Sequence, residues 1–152
     1  MQVKKIVMAS DHAACELKSY LKEALTLQGY EIVDYGTDSE TQSVDYPDKA
    51  YLLAKSLKKE EADIGILLCG SGIGMSIAVN RYNHIRAALV HSIEYAKLAR
   101  QHNNANVLVL GGRFLKPQEA LEITNTFLTT DFEGDRHARR VAKLGDMPHD
   151  FE

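Results

Sequence analysis

Residues 64–74 read Ile-Gly-Ile-Leu-Leu-Cys-Gly-Ser-Gly-Ile-Gly, an apolar run that stops at Cys69 and passes into three alternating glycines. A short apolar run bounded by turn residues predicts a buried strand. Gly70, Gly72 and Gly74 predict a tight turn that exposes backbone N–H groups, and Met75 to Arg81 suits a helix. A thiol at such a join has its anionic form favoured by amide donors and by the helix start. The same amides suit an oxyanion or a phosphate. One segment thus offers a base or nucleophile beside an anion hole.

Other chemistry-bearing residues lie at the ends of other elements. Ser10-Asp11-His12 follows an apolar run, and Gly111-Gly112-Arg113 follows another. His102, in Arg100-Gln101-His102-Asn103, stands where a helix should end and reads by itself as a C-terminal cap. In Asp135-Arg136-His137-Ala138-Arg139-Arg140, a helix puts Arg136 and Arg140 on one face, either as a solvated basic surface or as a phosphate clamp. They could reach the cysteine from the tail of the same subunit or from a partner. The glycine spacing is G-x-G-x-G after the third strand, which argues against a dinucleotide fingerprint, and no Gly-Lys-Ser/Thr follows to make a Walker loop. A phosphatase loop would need an arginine soon after Cys69, whereas the first is Arg81. Neither the histidines nor the cysteines have metal-ligand spacing, and nothing requires a Cys15–Cys69 bridge. Cys15 reads as a small core residue.

Apolar runs alternate with helix-period segments to position these groups. Strands are predicted at Val3 to Ala9, Tyr30 to Asp34, Ile64 to Cys69, Ile85 to Val90 and Val107 to Leu110. Helices are predicted at Ala14 to Gln28, from Pro47 to about Leu57, and at Ile93 to Gln101, Pro117 to Leu128 and Asp135 to Leu144, before a frayed tail from Pro148 to Glu152. Strict β/α alternation with apolar strands predicts a parallel sheet covered on both faces. Ligands of such sheets lie at the strands' carboxyl ends, where strand order reverses. With strand one central and strand three beside it, Asp11, His12, Cys69, Ser71 and Arg113 share one edge. The 152 residues predict a single domain, 1–152. A net charge of −3 argues against nucleic acid or an anionic membrane as partner. No signal peptide or spanning segment is expected, and two cysteines suit a reduced cytoplasmic setting.

Taken together, Ser10-Asp11-His12-Ala13, Asp45-Tyr46-Pro47, Cys69-Gly70-Ser71-Gly72-Ile73-Gly74, Arg100-Gln101-His102-Asn103, Gly111-Gly112-Arg113 and Glu133-Gly134-Asp135-Arg136-His137 resemble the ribose-5-phosphate isomerase B family, from Val3 to about Val141. That family also takes in galactose-6-phosphate isomerase subunits and allose-6-phosphate isomerases. The resemblance implies a three-layer α/β/α fold around a five-stranded parallel sheet. It implies a homodimer that can pair into a tetramer, with the site shared across the interface. The reaction implied needs no metal or cofactor: D-ribose 5-phosphate and D-ribulose 5-phosphate interconvert through an enediolate, in the non-oxidative branch of the pentose phosphate pathway. By position, Cys69 is implied as the base and His102 as the ring-opening group. Asp11, His12 and Asn103 are implied to bind the sugar, with Tyr46 lining the pocket. Gly70, Ser71, Gly72, Ile73 and Gly74 are implied as the enediolate hole, and Arg113, Arg136 and Arg140 as the phosphate site. Relatives that lack the cysteine use a glutamate in this loop region; Met75, at the matching position, cannot take a proton. Six-carbon sugar phosphates and a non-catalytic sugar-phosphate sensor are the alternative readings.

Overall fold

A computed structural model of the chain describes residues 2–146, and the tail expected at Pro148 to Glu152 lies outside them. The elements are β1 (Lys5–Ser10), one 3-10 turn (His12–Ala14), α1 (Cys15–Leu27), β2 (Glu31–Asp34), α2 (Tyr46–Lys58), β3 (Ile64–Cys69), α3 (Ile73–Val79), β4 (Ala87–Leu89), α4 (Ile93–Asn103), β5 (Val107–Gly111), α5 (Pro117–Thr129) and α6 (Arg136–Gly145). The strands form one parallel sheet in the order β2-β1-β3-β5-β4. As expected, β1 lies beside β3. The central strand, however, is β3, which is why its six residues are all buried and read as an unbroken apolar run.

Side chains alternate across a strand, so β3 feeds two cores. Ile64, Ile66 and Leu68 join Leu21 and Leu25 of α1, Ala96 of α4, and Ile123 and Phe127 of α5. Leu67 and Cys69 join Ala50, Leu53 and Ala54 of α2 and Met75 and Val79 of α3. The result is an α/β/α sandwich with α1, α4 and α5 on one face and α2 and α3 on the other. Each fully buried leucine contributes about 2 kcal/mol relative to exposure. Gly65 is what lets α2 approach, since a Cβ there would stand 2.8 Å from Leu53 Cδ2. The Cys69 side chain therefore faces α2 and α3. Among the described residues no helix is long and apolar enough to cross a membrane.

Several boundaries depart from the sequence reading, three of them for a visible local cause. The third helix starts at Ile73 rather than Met75, because Gly72 at φ +83° closes the turn early. Strand β4 is shorter than Ile85 to Val90: it is an edge strand paired only with β5, and the Asn80 side chain bonds both Ala87 N–H and Ala87 C=O. Helix α4 runs on to Asn103 because Asn104 adopts a left-handed cap.

Two buried cations hold the frame that the site rests on. Lys18 is 1% exposed, and its Nζ donates to both carboxylate oxygens of Asp34 at 2.7 Å. Asp34 Oδ1 also accepts from Gly36 N–H, and Gly36 C=O accepts from Ser10 N–H at the end of β1. Burial pushes the Asp34 carboxyl up, but Lys18, the Gly36 amide and Lys22 together outweigh it and hold it below its usual range. Arg100 is the second: its guanidinium donates to Thr130 C=O, Ala105 C=O and Asn104 Oδ1, locking the end of α4 to the end of α5.

Candidate functional site

The carboxyl edge of the sheet collects one set of groups. Cys69 ends β3 with 6% of its surface exposed, and its Sγ accepts a hydrogen bond from Gly72 N–H at 3.0 Å. A left-handed residue at Gly72 is what turns that amide back onto the sulfur. No other residue fits there: a Cβ would stand 2.5 Å from Leu89 Cδ1 and 3.2 Å from the Leu110 carbonyl carbon. Ser71 Oγ accepts from Ile73 N–H at 3.2 Å, so two of the loop amides already have partners within the loop.

The β5 turn is tied to this loop. Gly112 N–H donates to Cys69 C=O at 2.8 Å, and Arg113 N–H donates to Gly70 C=O at 3.0 Å. The Arg113 guanidinium then lies across Gly70, where a Cβ would meet its Cζ at 3.2 Å. From the other side, the Tyr46 ring at the start of α2 lies against Gly74, and a Cβ there would stand 2.7 Å from it. Asp11 follows β1: its N–H donates to Leu68 C=O, and its carboxylate caps the 3-10 turn by accepting from Ala13 N–H. His12, Glu16, Glu40 and Arg113 line a cleft of about 340 Å³, and His12 Nδ1 is buried with no hydrogen-bond partner among the described residues. Glu16, as a carboxylate that accepts a hydrogen bond from protonated Glu40 and repels its ionised form, pushes the Glu40 carboxyl up. Thus Asp11, His12, Tyr46, Cys69, the loop from Gly70 to Gly74 and Arg113 are brought together. Met75 is buried in the core behind them. Cys15 donates through Sγ to Thr37 C=O, and burial pushes its thiol up, which fits the inert role read from sequence.

His102, Asn103, Arg136 and Arg140 stand elsewhere. Helix α4 leaves the carboxyl end of β4 and runs back to the amino end of β5, so its last turn lies at the opposite edge. With a rise of 1.5 Å per residue, α4 carries His102 about 15 Å from the Cys69 edge. Glu133 N–H donates to Gln101 C=O at 3.0 Å, which docks the segment before α6 onto the end of α4. Arg136 and Arg140 then follow on the first turns of α6, exposed and one turn apart. The His102 and His137 rings stack, with centroids 4.3 Å apart and planes inclined by 14°. Glu133 Oε1 lies 3.5 Å from His102 Nε2 and 3.7 Å from His137 Nε2. Burial pushes His137 below the usual histidine range; the charges of His102, Arg136 and Arg140 add to this, and Glu133 opposes it.

The ligating atoms of His102, Glu133 and His137 lie within 4.8 Å of one another. A shared ion would need both imidazole lone pairs to converge on it. Nearly parallel stacked rings direct them side by side, so the cluster reads as a polar network rather than a metal centre. Sequence reasoning assigned no role to Glu133 or His137. Their spacing of four, leading into a helix, was the available signal.

A family model described as Ribose/Galactose Isomerase matches residues 6–144. A ribose 5-phosphate isomerase from Thermotoga maritima superposes with a TM-score of 0.92 at 54% identity, covering 97% of this chain and 100% of that one. A ribose-5-phosphate isomerase B from Mycoplasma genitalium, with ribulose-5-phosphate bound, superposes with a TM-score of 0.89 at 42% identity over 96% of each chain. A D-erythrulose-4-phosphate isomerase from Pectobacterium atrosepticum is 42% identical over 144 residues, 95% of each chain.

Proposed function

The chain belongs to the ribose/galactose isomerase family, and from that premise we propose that it interconverts D-ribose 5-phosphate and D-ribulose 5-phosphate, with Cys69 as the base. The observation that carries the assignment of the base is the Cys69 sulfur, held by the Gly72 amide at the head of a glycine loop with Arg113 laid across it. Similarity to ribose-5-phosphate isomerases along nearly the whole chain supports the substrate.

In this reading Arg113, Arg136 and Arg140 hold the phosphate. It is remote from the reacting carbons, so these contacts supply binding and orientation. Asp11 and Asn103 hold sugar hydroxyls, Tyr46 lines the pocket, and a substrate oxygen completes the buried, unpartnered His12 Nδ1. His102 opens the ring. Cys69 thiolate then removes the proton from C2 of the aldose and returns it to C1. Between these steps negative charge sits on the enediolate oxygens. The amides of Gly70, Ser71 and Gly74 take that charge, since those of Gly72 and Ile73 are engaged by Cys69 and Ser71.

The two edges lie too far apart to act on one small sugar, so the working form is a homodimer in which the carboxyl edge of one copy meets the amino edge of the other. Exposed apolar side chains beside the cysteine loop support that contact: Ile73, Ile77 and Phe114, the last 71% exposed. The free thiols of Cys15 and Cys69 suit a reducing, cytoplasmic setting.

A second reading is isomerisation of a sugar phosphate of another length. The D-erythrulose-4-phosphate isomerase among the relatives favours keeping it in view. A panel of ribose 5-phosphate, allose 6-phosphate, galactose 6-phosphate and erythrulose 4-phosphate, run on wild type and Cys69→Ala, tests both readings. Wild type should prefer ribose 5-phosphate, and Cys69→Ala should still bind it while turning over about 10²–10⁴-fold more slowly. Full turnover by Cys69→Ala overturns the assignment of the base.

A further inference from the structure

We propose that Glu133 is the positioning residue of His102, holding its imidazole by Nε2 so that Nδ1 serves the ring-opening step; the inference rests on the isomerase reading above. Glu133 lies in the connection between α5 and α6, where a side chain has no regular element to fix it. This connection is nonetheless pinned at each end. Arg100 Nε donates to Thr130 C=O at 3.1 Å, and Glu133 N–H donates to the carbonyl of Gln101, the residue just before His102. Carboxylate and imidazole are therefore attached to bonded neighbours, and Glu133 Oε1 reaches within 3.5 Å of His102 Nε2.

His137 supplies the other constraint. It is only 8% exposed, and its ring is stacked on that of His102 at 4.3 Å. Turning the His102 ring out of its plane would break this stack. The carboxylate lies 3.7 Å from His137 Nε2 as well, but burial and the neighbouring positive charges push His137 below the usual histidine range. Of the two rings, Glu133 Oε1 stands nearer that of His102.

Ring opening consumes a proton at the ring oxygen. The bond between C1 and the ring oxygen breaks, and its electron pair goes to the ring oxygen, which takes a proton from His102 Nδ1. The C1 hydroxyl loses its proton to water, and its electrons form the aldehyde carbonyl. His102 regains a proton from solvent, so the step is balanced without a further reactant. Glu133 touches none of the reacting atoms. It favours Nε2 as the nitrogen that keeps its hydrogen and leaves Nδ1 to give and take one.

A purely structural role would depress every step together, whereas a positioning role in ring opening would spare the proton transfer. Ribulose 5-phosphate separates the two, because phosphorylation of its C5 oxygen denies it a furanose ring. Exchange of its C1 hydrogen in heavy water, followed by NMR, needs the Cys69 half of the site and no ring opening. Glu133→Gln keeps the shape and removes the charge. Turnover of ribose 5-phosphate should fall about tenfold in this variant, while the exchange from ribulose 5-phosphate stays within about twofold of wild type. His102→Asn should show the same split, and Glu133→Asp should recover part of the loss. The inference is overturned if Glu133→Gln slows both reactions alike, if it slows neither, or if His102→Asn shows no split. Wild type that turns over neither sugar would instead overturn the isomerase reading on which it rests.

Discussion

Mixing two inactive variants should restore activity if each site draws on two copies of the chain. Cys69→Ala disables the carboxyl edge, and the double variant Arg136→Ala/Arg140→Ala disables the amino edge. Each arginine removed forfeits a charge-assisted hydrogen bond to phosphate worth about 1.5–3 kcal/mol. The pair should then lower kcat/KM by about 10²–10⁴-fold, against a comparable loss of kcat from the missing base. After random exchange of subunits, about half of the dimers are mixed. In each mixed dimer one site has both defects, and the other pairs an intact cysteine edge with an intact arginine edge. The recovered activity should therefore be about a quarter of wild type, far above the sum of the parents.

The alternative, a site completed within one chain, would have to bring His102 and the arginines across the length of α4. The register of the sheet prevents this: β3 and β5 are paired from Gly65–Val107 to Cys69–Gly111, so the two edges are held apart by a rigid ladder. Isomerase activity of the mixture, read with differently tagged subunits whose exchange is followed by native mass spectrometry, checks the prediction. Mixed dimers that form but stay at the sum of the parental activities would refute the reasoning. So would a fully active monomer.

Two further predictions concern the frame. Asp34→Asn leaves the buried Lys18 ammonium with only the exposed Asp38 carboxylate, 3.4 Å away, and should cost about 3 kcal/mol in urea unfolding at pH 7. Because the folded Asp34 carboxyl lies below its ordinary value, its contribution is present above about pH 4 and is lost as pH falls, so wild type and variant should converge in acid; an undiminished gap at pH 3 would contradict this. Gly72→Ala meets a positive φ and a close Leu89 methyl, so it should lower the melting temperature and slow turnover about tenfold or more as the amide leaves the Cys69 sulfur. A variant with both properties of wild type would show that this amide does not matter.

Much of the fold was legible because period and punctuation agree in this chain. Leu17 and Leu21 carry the helical period of α1, and the apolar run from Ile64 to Cys69, bounded by turn residues, reads as a strand buried on both faces. What was missed lay in edges and closures. A three-residue edge strand leaves almost no pattern, and a left-handed Gly72 shifts a helix start that propensity places at Met75. The network at His102 was hidden for another reason. Glu133 and His137 are distant in sequence from His102, and they meet it because Arg100, buried in the last turn of α4, pins the end of α5 to the end of α4 and Glu133 N–H bonds Gln101 C=O. An arginine in the last turn of a helix reads as a partner of the helix dipole and carries no mark of such a role.

The division of the site into two halves follows from chain direction alone. In a parallel sheet with helical crossovers, residues just after a strand lie at the carboxyl edge and residues just after a helix lie at the amino edge. Asp11, Cys69 and Arg113 belong to the first class, His102 and Asn103 to the second. Arg136 joins them because α6 begins close after α5 ends. A strand of five or six residues separates the classes by roughly 16–20 Å, more than a five-carbon sugar phosphate can bridge. Under the proposed function, with the base at one edge and two of the three phosphate arginines at the other, the site is completed by a second copy. If the carboxyl edge of the first meets the amino edge of the second, a two-fold axis makes the reverse contact identical. One self-complementary interface then creates two sites, with the two sheets running in opposite directions. In that proposed arrangement neither site exists in the monomer, so dissociation and loss of activity should be the same event.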